Sequence, residues 1–290
     1  MEKQALLGIV PPIIATLVFV LLAWRPWKKG CPNGAWGSAL GLAIGYAAAD
    51  ILIRSWPFDV KQDLLPAGGS RWHPHVALAA AVFVAALSKV RKPVLRIPIF
   101  ILLFAGSVAL FLRVPLAQDP RAAAPALGYL TAIGVLLWMC IWLAARKSPG
   151  ARVTLMLWAA ATGSAVIFLQ SGHAALAQLS GALAAGMGVF VLLAWIRRDL
   201  PAVNGATPVY LLVMLGLLIV GRGYAAPLSR SDLPFAVAAV AVASPALMLL
   251  PPVRKLKPWA GTLIGVIVTL AIAAVGVYLT EEGFDFSGLK

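Results

Sequence analysis

Apolar residues fill the chain in long runs, and short clusters of proline, glycine and charged residues separate them. Runs of this length predict membrane-crossing helices, since about 20 residues at ~1.5 Å rise cover a hydrocarbon core of roughly 30 Å. The pattern recurs ten times, at 5–24, 35–55, 74–90, 95–114, 124–145, 152–170, 174–196, 207–225, 233–250 and 259–280. The expected fold is therefore all-α, a polytopic bundle of about ten transmembrane helices in one integral membrane domain over residues 1–290. The third run is short, and the ninth carries Pro234 and Pro245, which packed neighbours tolerate as kinks. The first run is too long for a cleaved leader and is followed by Arg25 and Lys28, so it reads as the first span.

Composition agrees with this pattern. Hydrophobic residues make up 61% of the chain, against roughly 45–50% in soluble domains. The charges divide unevenly between alternate loops. One set of loops carries fifteen of the 24 basic residues and a single acid, Asp199, while the other carries nine of each sign. The whole net charge of +14 thus falls on one face. By the positive-inside rule that face is cytoplasmic, and both termini are expected outside. The basic balance is then accounted for by topology and by contact with anionic headgroups at the inner loops, with no nucleic-acid partner implied. Tryptophans follow the same boundaries: Trp24, Trp27, Trp36, Trp142, Trp195 and Trp259 at inner ends, Trp56 and Trp72 at outer ends. Short loops and this charge rule fit a bacterial inner membrane. Cys31 and Cys140 imply no disulfide framework. A search for two oppositely oriented five-helix halves finds little self-similarity.

The second run, Ala35 to Trp56, combines length with chemistry. Asp50 lies inside it with Tyr46 and Arg54 four residues to either side, so the three share one stripe of a helix. An intramembrane carboxylate costs about 2.5–3.5 kcal/mol at mid-bilayer and calls for a partner or a task. Asp50 either pairs with Arg54 near the outer surface or faces a polar cavity. Gly37, Gly41 and Gly45 form a neighbouring smooth stripe, and Ala177, Gly181, Ala184, Ala185 and Gly188 form another on the seventh run; both predict close helix packing. Packing of these two spans against each other is expected to bring Asp50 near Gln170, His173 and Gln178. His73, His75 and His173 also belong to the outer layer and are weak candidates for a metal set, so no metal or other cofactor is expected. No phosphate loop, zincin helix or serine-hydrolase elbow occurs.

The leading expectation is a permease for a small solute or a lipid-linked substrate, with its site at Tyr46, Asp50, Arg54, Gln170, His173 and Gln178. A non-catalytic membrane scaffold or subunit, with protein partners or a second copy of itself, is the alternative. An intramembrane enzyme using outer His and Asp groups as acid and base is the third.

Overall fold

The computed structural model describes residues 2–24, 35–54, 66, 68–87, 93–148, 151–196, 202–225 and 233–282. Trp27, Cys31, Trp56 and most of the longest predicted outer loop lie outside these. The described residues are almost entirely helical, without strands. In chain order they form α1 (Glu2–Trp24), α2 (Ala35–Arg54), a 3-10 turn (Gly69–Arg71), α3 (His73–Leu87), α4 (Pro93–Phe111), α5 (Arg113–Gln118) and α6 (Pro120–Lys147). Then follow α7 (Arg152–Gln170), α8 (Ala174–Ile196), α9 (Ala202–Ala225), α10 (Leu233–Ala243), a 3-10 helix (Ser244–Leu249), α11 (Pro251–Lys255) and α12 (Pro258–Glu282).

Every predicted apolar run contains a helix, but not every helix has the length to cross a bilayer unaided. Among the described residues seven are long and apolar enough: α1, α2, α6, α7, α8, α9 and α12. By length and composition the chain is a multi-pass membrane protein. The other three runs hold the apolar helices α3, α4 and the broken α10. α3 has 15 described residues, about 22 Å of rise, and starts at His73 directly after the 3-10 turn. α4 stops at Phe111 and the chain continues as the short exposed α5. The ninth run breaks at Ser244, where Pro245 has no N–H to continue an α-helical ladder and the backbone tightens to 3-10 geometry. The Ser244 and Thr269 hydroxyls, 2.6 Å apart, join the break to α12.

Burial divides the helices into layers. α9 is the axis: 83% of its apolar window is buried, and it contacts α2, α3, α4, α6, α7, α8 and α10. α2, α3, α7 and α8 surround it. α1, α6 and α12 lie at the periphery with 17–28% of their windows buried, and they present Ile14, Leu136 and Ile267 outward. In a bilayer those apolar faces meet lipid.

Among the described residues the most extensive helix pairing is between α1 and α2, on the α2 glycine stripe. A Cβ at Gly45 would come within 2.6 Å of Pro12 Cα, at Gly41 within 2.8 Å of Thr16 Cα, and at Gly37 within 2.5 Å of the Phe19 carbonyl oxygen. Only glycine allows this approach.

Candidate functional site

α2 places Tyr46, Asp50 and Arg54 on one stripe directed into the bundle, the 3-10 turn before α3 adds Ser70, and the first residue of α3 adds His73. Tyr46 and His73 are fully buried, and Asp50 is 4% exposed. Arg54 Nε lies 3.1 Å from Asp50 Oδ1, one helical turn away. Arg54 Nη1 donates to the Ser70 carbonyl oxygen at 3.2 Å. The same oxygen accepts from His73 Nδ1 at 2.6 Å, which assigns the proton of a neutral ring to Nδ1. Nε2 is buried beside the Gly216 backbone of α9 without a hydrogen bond of acceptable geometry. The His73 ring packs on Phe111 at 4.9 Å between centroids, and Phe111 in turn packs against Gly216. A tyrosine, a carboxylate, a guanidinium and an imidazole are thus gathered by α2, α3, α4 and α9.

Hydrogen-bonding capacity in this cluster is not exhausted by the described residues. Tyr46 Oη and Arg54 Nη2 are buried, and neither has a hydrogen-bond partner among the described residues. Tyr46 lies within electrostatic reach of both charges of the pair. Leaving such donors unsatisfied in a dry site costs roughly 1–3 kcal/mol each, more for a charged group. A small molecule offering an acceptor to Nη2 and to the Tyr46 hydroxyl would relieve that cost.

The other residues singled out from the sequence are placed as follows. α2 and α8 do pack together: a Cβ on Gly186 would lie 2.6 Å from Leu42 Cδ1. The helices are antiparallel there, and eight residues outward from this contact stand Asp50 on α2 and Gln178 on α8, at one depth. Between them runs α1, with Gly8 facing Ile53 and the Gln178 carbonyl. Gln178 is half-buried, and Gln170 is exposed at the end of α7. α7 ends at Gly172, whose φ of 79° lets the His173 N–H return to the Phe168 carbonyl oxygen. This turns the His173 ring toward Phe235 of α10, 6.4 Å away. Partial burial lowers the His173 pKa below the ordinary imidazole range.

The three histidines do not assemble. His73 belongs to the Asp50 cluster, His75 packs on Trp72 at 5.2 Å, and His173 faces α10. Among the described residues no three His, Cys, Asp or Glu side chains lie close enough to share a metal ion. The small residues of α8 serve different neighbours. A Cβ at Gly181 would meet nothing within 4 Å, Gly188 faces the Trp158 indole of α7, and Ala185 is half-buried. Gly186, between the residues of the predicted stripe, makes the close approach to α2.

Sequence reasoning did not group Ser70 or His73 with Asp50. Their approach depends on a turn that no periodicity announces, although the Gly68–Gly69 pair marks a place where the chain can bend tightly. Comparison of the sequence and structure with protein-family models, curated proteins and solved structures gives no match.

Proposed function

We propose that this multi-pass membrane protein is a permease, with a polar solute site at Tyr46, Asp50, Arg54 and His73 in the outer half of the bundle. The observation that carries this reading is the buried ionisable cluster with two unsatisfied donors, Tyr46 Oη and Arg54 Nη2. A buried ion pair of neutral sum that still has donors to offer suits a small solute with a carboxylate or similar acceptor, free or borne on a lipid. Gln178, at the depth of Asp50, and Gln170 and His173, at the same end of the bundle, complete the polar outer layer.

The orientation belongs to the same proposal: about ten crossings in a bacterial inner membrane, both termini outside, basic loops inside. Support comes from the charge division of the loops and from a helix in each of the ten apolar runs. α3, α4 and the broken α10 complete the count by crossing within the bundle, where non-helical backbone is covered by protein.

A scaffold or subunit without transport activity is the second reading. The 4% exposure of Asp50 favours it, since a closed bundle can retain an internal ion pair for packing alone. Thermal unfolding of the purified protein with a panel of small carboxylates, amino acids and neutral polar solutes separates the two. The permease reading expects one solute class to stabilise the wild type, by about 2.7 kcal/mol at a hundredfold excess over Kd. That gain should vanish in Arg54→Gln. Equal responses of both proteins to every solute would contradict it.

A further inference from the structure

At the opposite end of the bundle from the Asp50 cluster, the start of α7, the end of α8 and the start of α12 enclose a groove of about 700 Å³. Both α8 and α12 pack on α7, and the groove lies between them. Its floor stays open because Ala151 and Ala194 are too small to fill it. Leu155, Val191, Leu263 and Val266 make an apolar channel. Trp195 and Trp259 stand at its mouth, both largely exposed. Arg152, half-buried at the first turn of α7, supplies the cation. Exposed Lys255 and Lys257 precede α12, and Arg197 and Arg198 follow α8 in the sequence.

We infer that this groove holds an anionic phospholipid of the inner leaflet, with its phosphate at Arg152 and an acyl chain along Leu155, Val191 and Val266. The occupant follows from charge and shape together. In the proposed topology the loops of this end carry fifteen cations and one acid in the sequence, so an anion is the complementary headgroup. The indoles stand where amphipathic rings prefer to lie, at headgroup depth, and the channel below them is lined by hydrocarbon. A groove of this volume lies within the ~300–1,000 Å³ of ordinary ligand sites. The assignment of the basic loops to this end, and the choice of leaflet, rest on the proposed ten-crossing topology; the groove and Arg152 do not.

The test is native mass spectrometry of the full chain, released from detergent supplemented with phosphatidylglycerol or with phosphatidylcholine. Wild type is expected to retain phosphatidylglycerol about fivefold over phosphatidylcholine, the preference one well-placed cation gives near a membrane surface. Arg152→Gln should lose that preference, and Ala194→Trp, which fills the groove, should lose the bound lipid. Lys147→Gln, removing an exposed cation from the inner end of α6, should behave as wild type. Should Ala194→Trp fail to fold, the comparison of Arg152→Gln with Lys147→Gln still decides. Equal losses in those two, or equal retention in every variant, would reduce the effect to diffuse surface charge and overturn the inference. A lipid-free dimer broken by Ala194→Trp would overturn it too, by giving the groove to a second copy of the chain.

Discussion

Asp50 and Arg54 are one helical turn apart, so the ion pair is built into α2 before any other helix packs. What the bundle adds is dryness: at such low exposure, removing one partner leaves the other charge without compensation. Asp50→Asn should therefore destabilise by about 3 kcal/mol, the lower end of the usual cost of breaking a buried pair. Adding Arg54→Gln should restore part of that loss, and a double-mutant cycle by thermal or denaturant unfolding should give a coupling of about 1–3 kcal/mol. Additive effects would mean that the two groups are solvated independently. The i, i+4 spacing of Tyr46, Asp50 and Arg54 made this half of the cluster legible in the sequence. The half from Ser70 and His73 was not, because it depends on where a 3-10 turn deposits a backbone carbonyl. His173 offers a separate check. Its pKa is lowered in the folded protein, so the fold favours the neutral ring. That contribution is complete above the unfolded value of about 6.5 and is lost as pH falls below it. Between pH 7 and pH 5 the wild type should lose more Tm than His173→Gln.

At the scale of elements, periodicity and length located the helices well, and their ends less well. α7 and α8 have the bounds expected, 152–170 and 174–196, because glycine and polar residues punctuate both sides. The ninth run instead breaks at Pro245, where a missing N–H outweighs an apolar composition that would otherwise have continued the helix. Glycine stripes were legible as smooth surfaces but not as pairings. The α2 stripe receives the backbone of α1, which nothing in either sequence segment specifies. The geometry predicts a sharp contrast between substitutions. Gly41→Val drives a side chain into the Thr16 backbone and should cost about 1–3 kcal/mol or more, the range of overpacked cores. Gly181→Ala, with nothing within 4 Å, should leave unfolding in detergent unchanged or slightly improve it. Equal effects at the two positions would mean that α1 does not lie on α2 as described.

For the whole molecule, charge and apolar mass say different things. The division of basic residues between loops supports the proposed orientation, while burial separates central helices from peripheral ones. The two most apolar of the long helices, α1 and α12, lie at the periphery, while the axial helix α9 is less apolar than either. Helices facing lipid need hydrocarbon all round their exposed faces, whereas a central helix can carry Gly, Thr and Tyr and satisfy them on its neighbours, as Tyr210 Oη does by donating to the Leu157 carbonyl oxygen at 2.8 Å. That inversion is why hydropathy alone could not name α9 as the axis. The central claim is that the Asp50 cluster is a solute site reached from outside, and cysteine accessibility at position 50 tests it most directly. Asp50→Cys, with Cys31 and Cys140 replaced by serine and folding verified, is exposed in intact cells to a membrane-impermeant maleimide. The account predicts labelling as the bundle opens, slowed by whichever solute stabilises the wild type. Absence of labelling while a cysteine at the exposed position of Arg71 on the 3-10 turn reacts fully would contradict it, and would leave the ion pair as an internal strut of a closed scaffold.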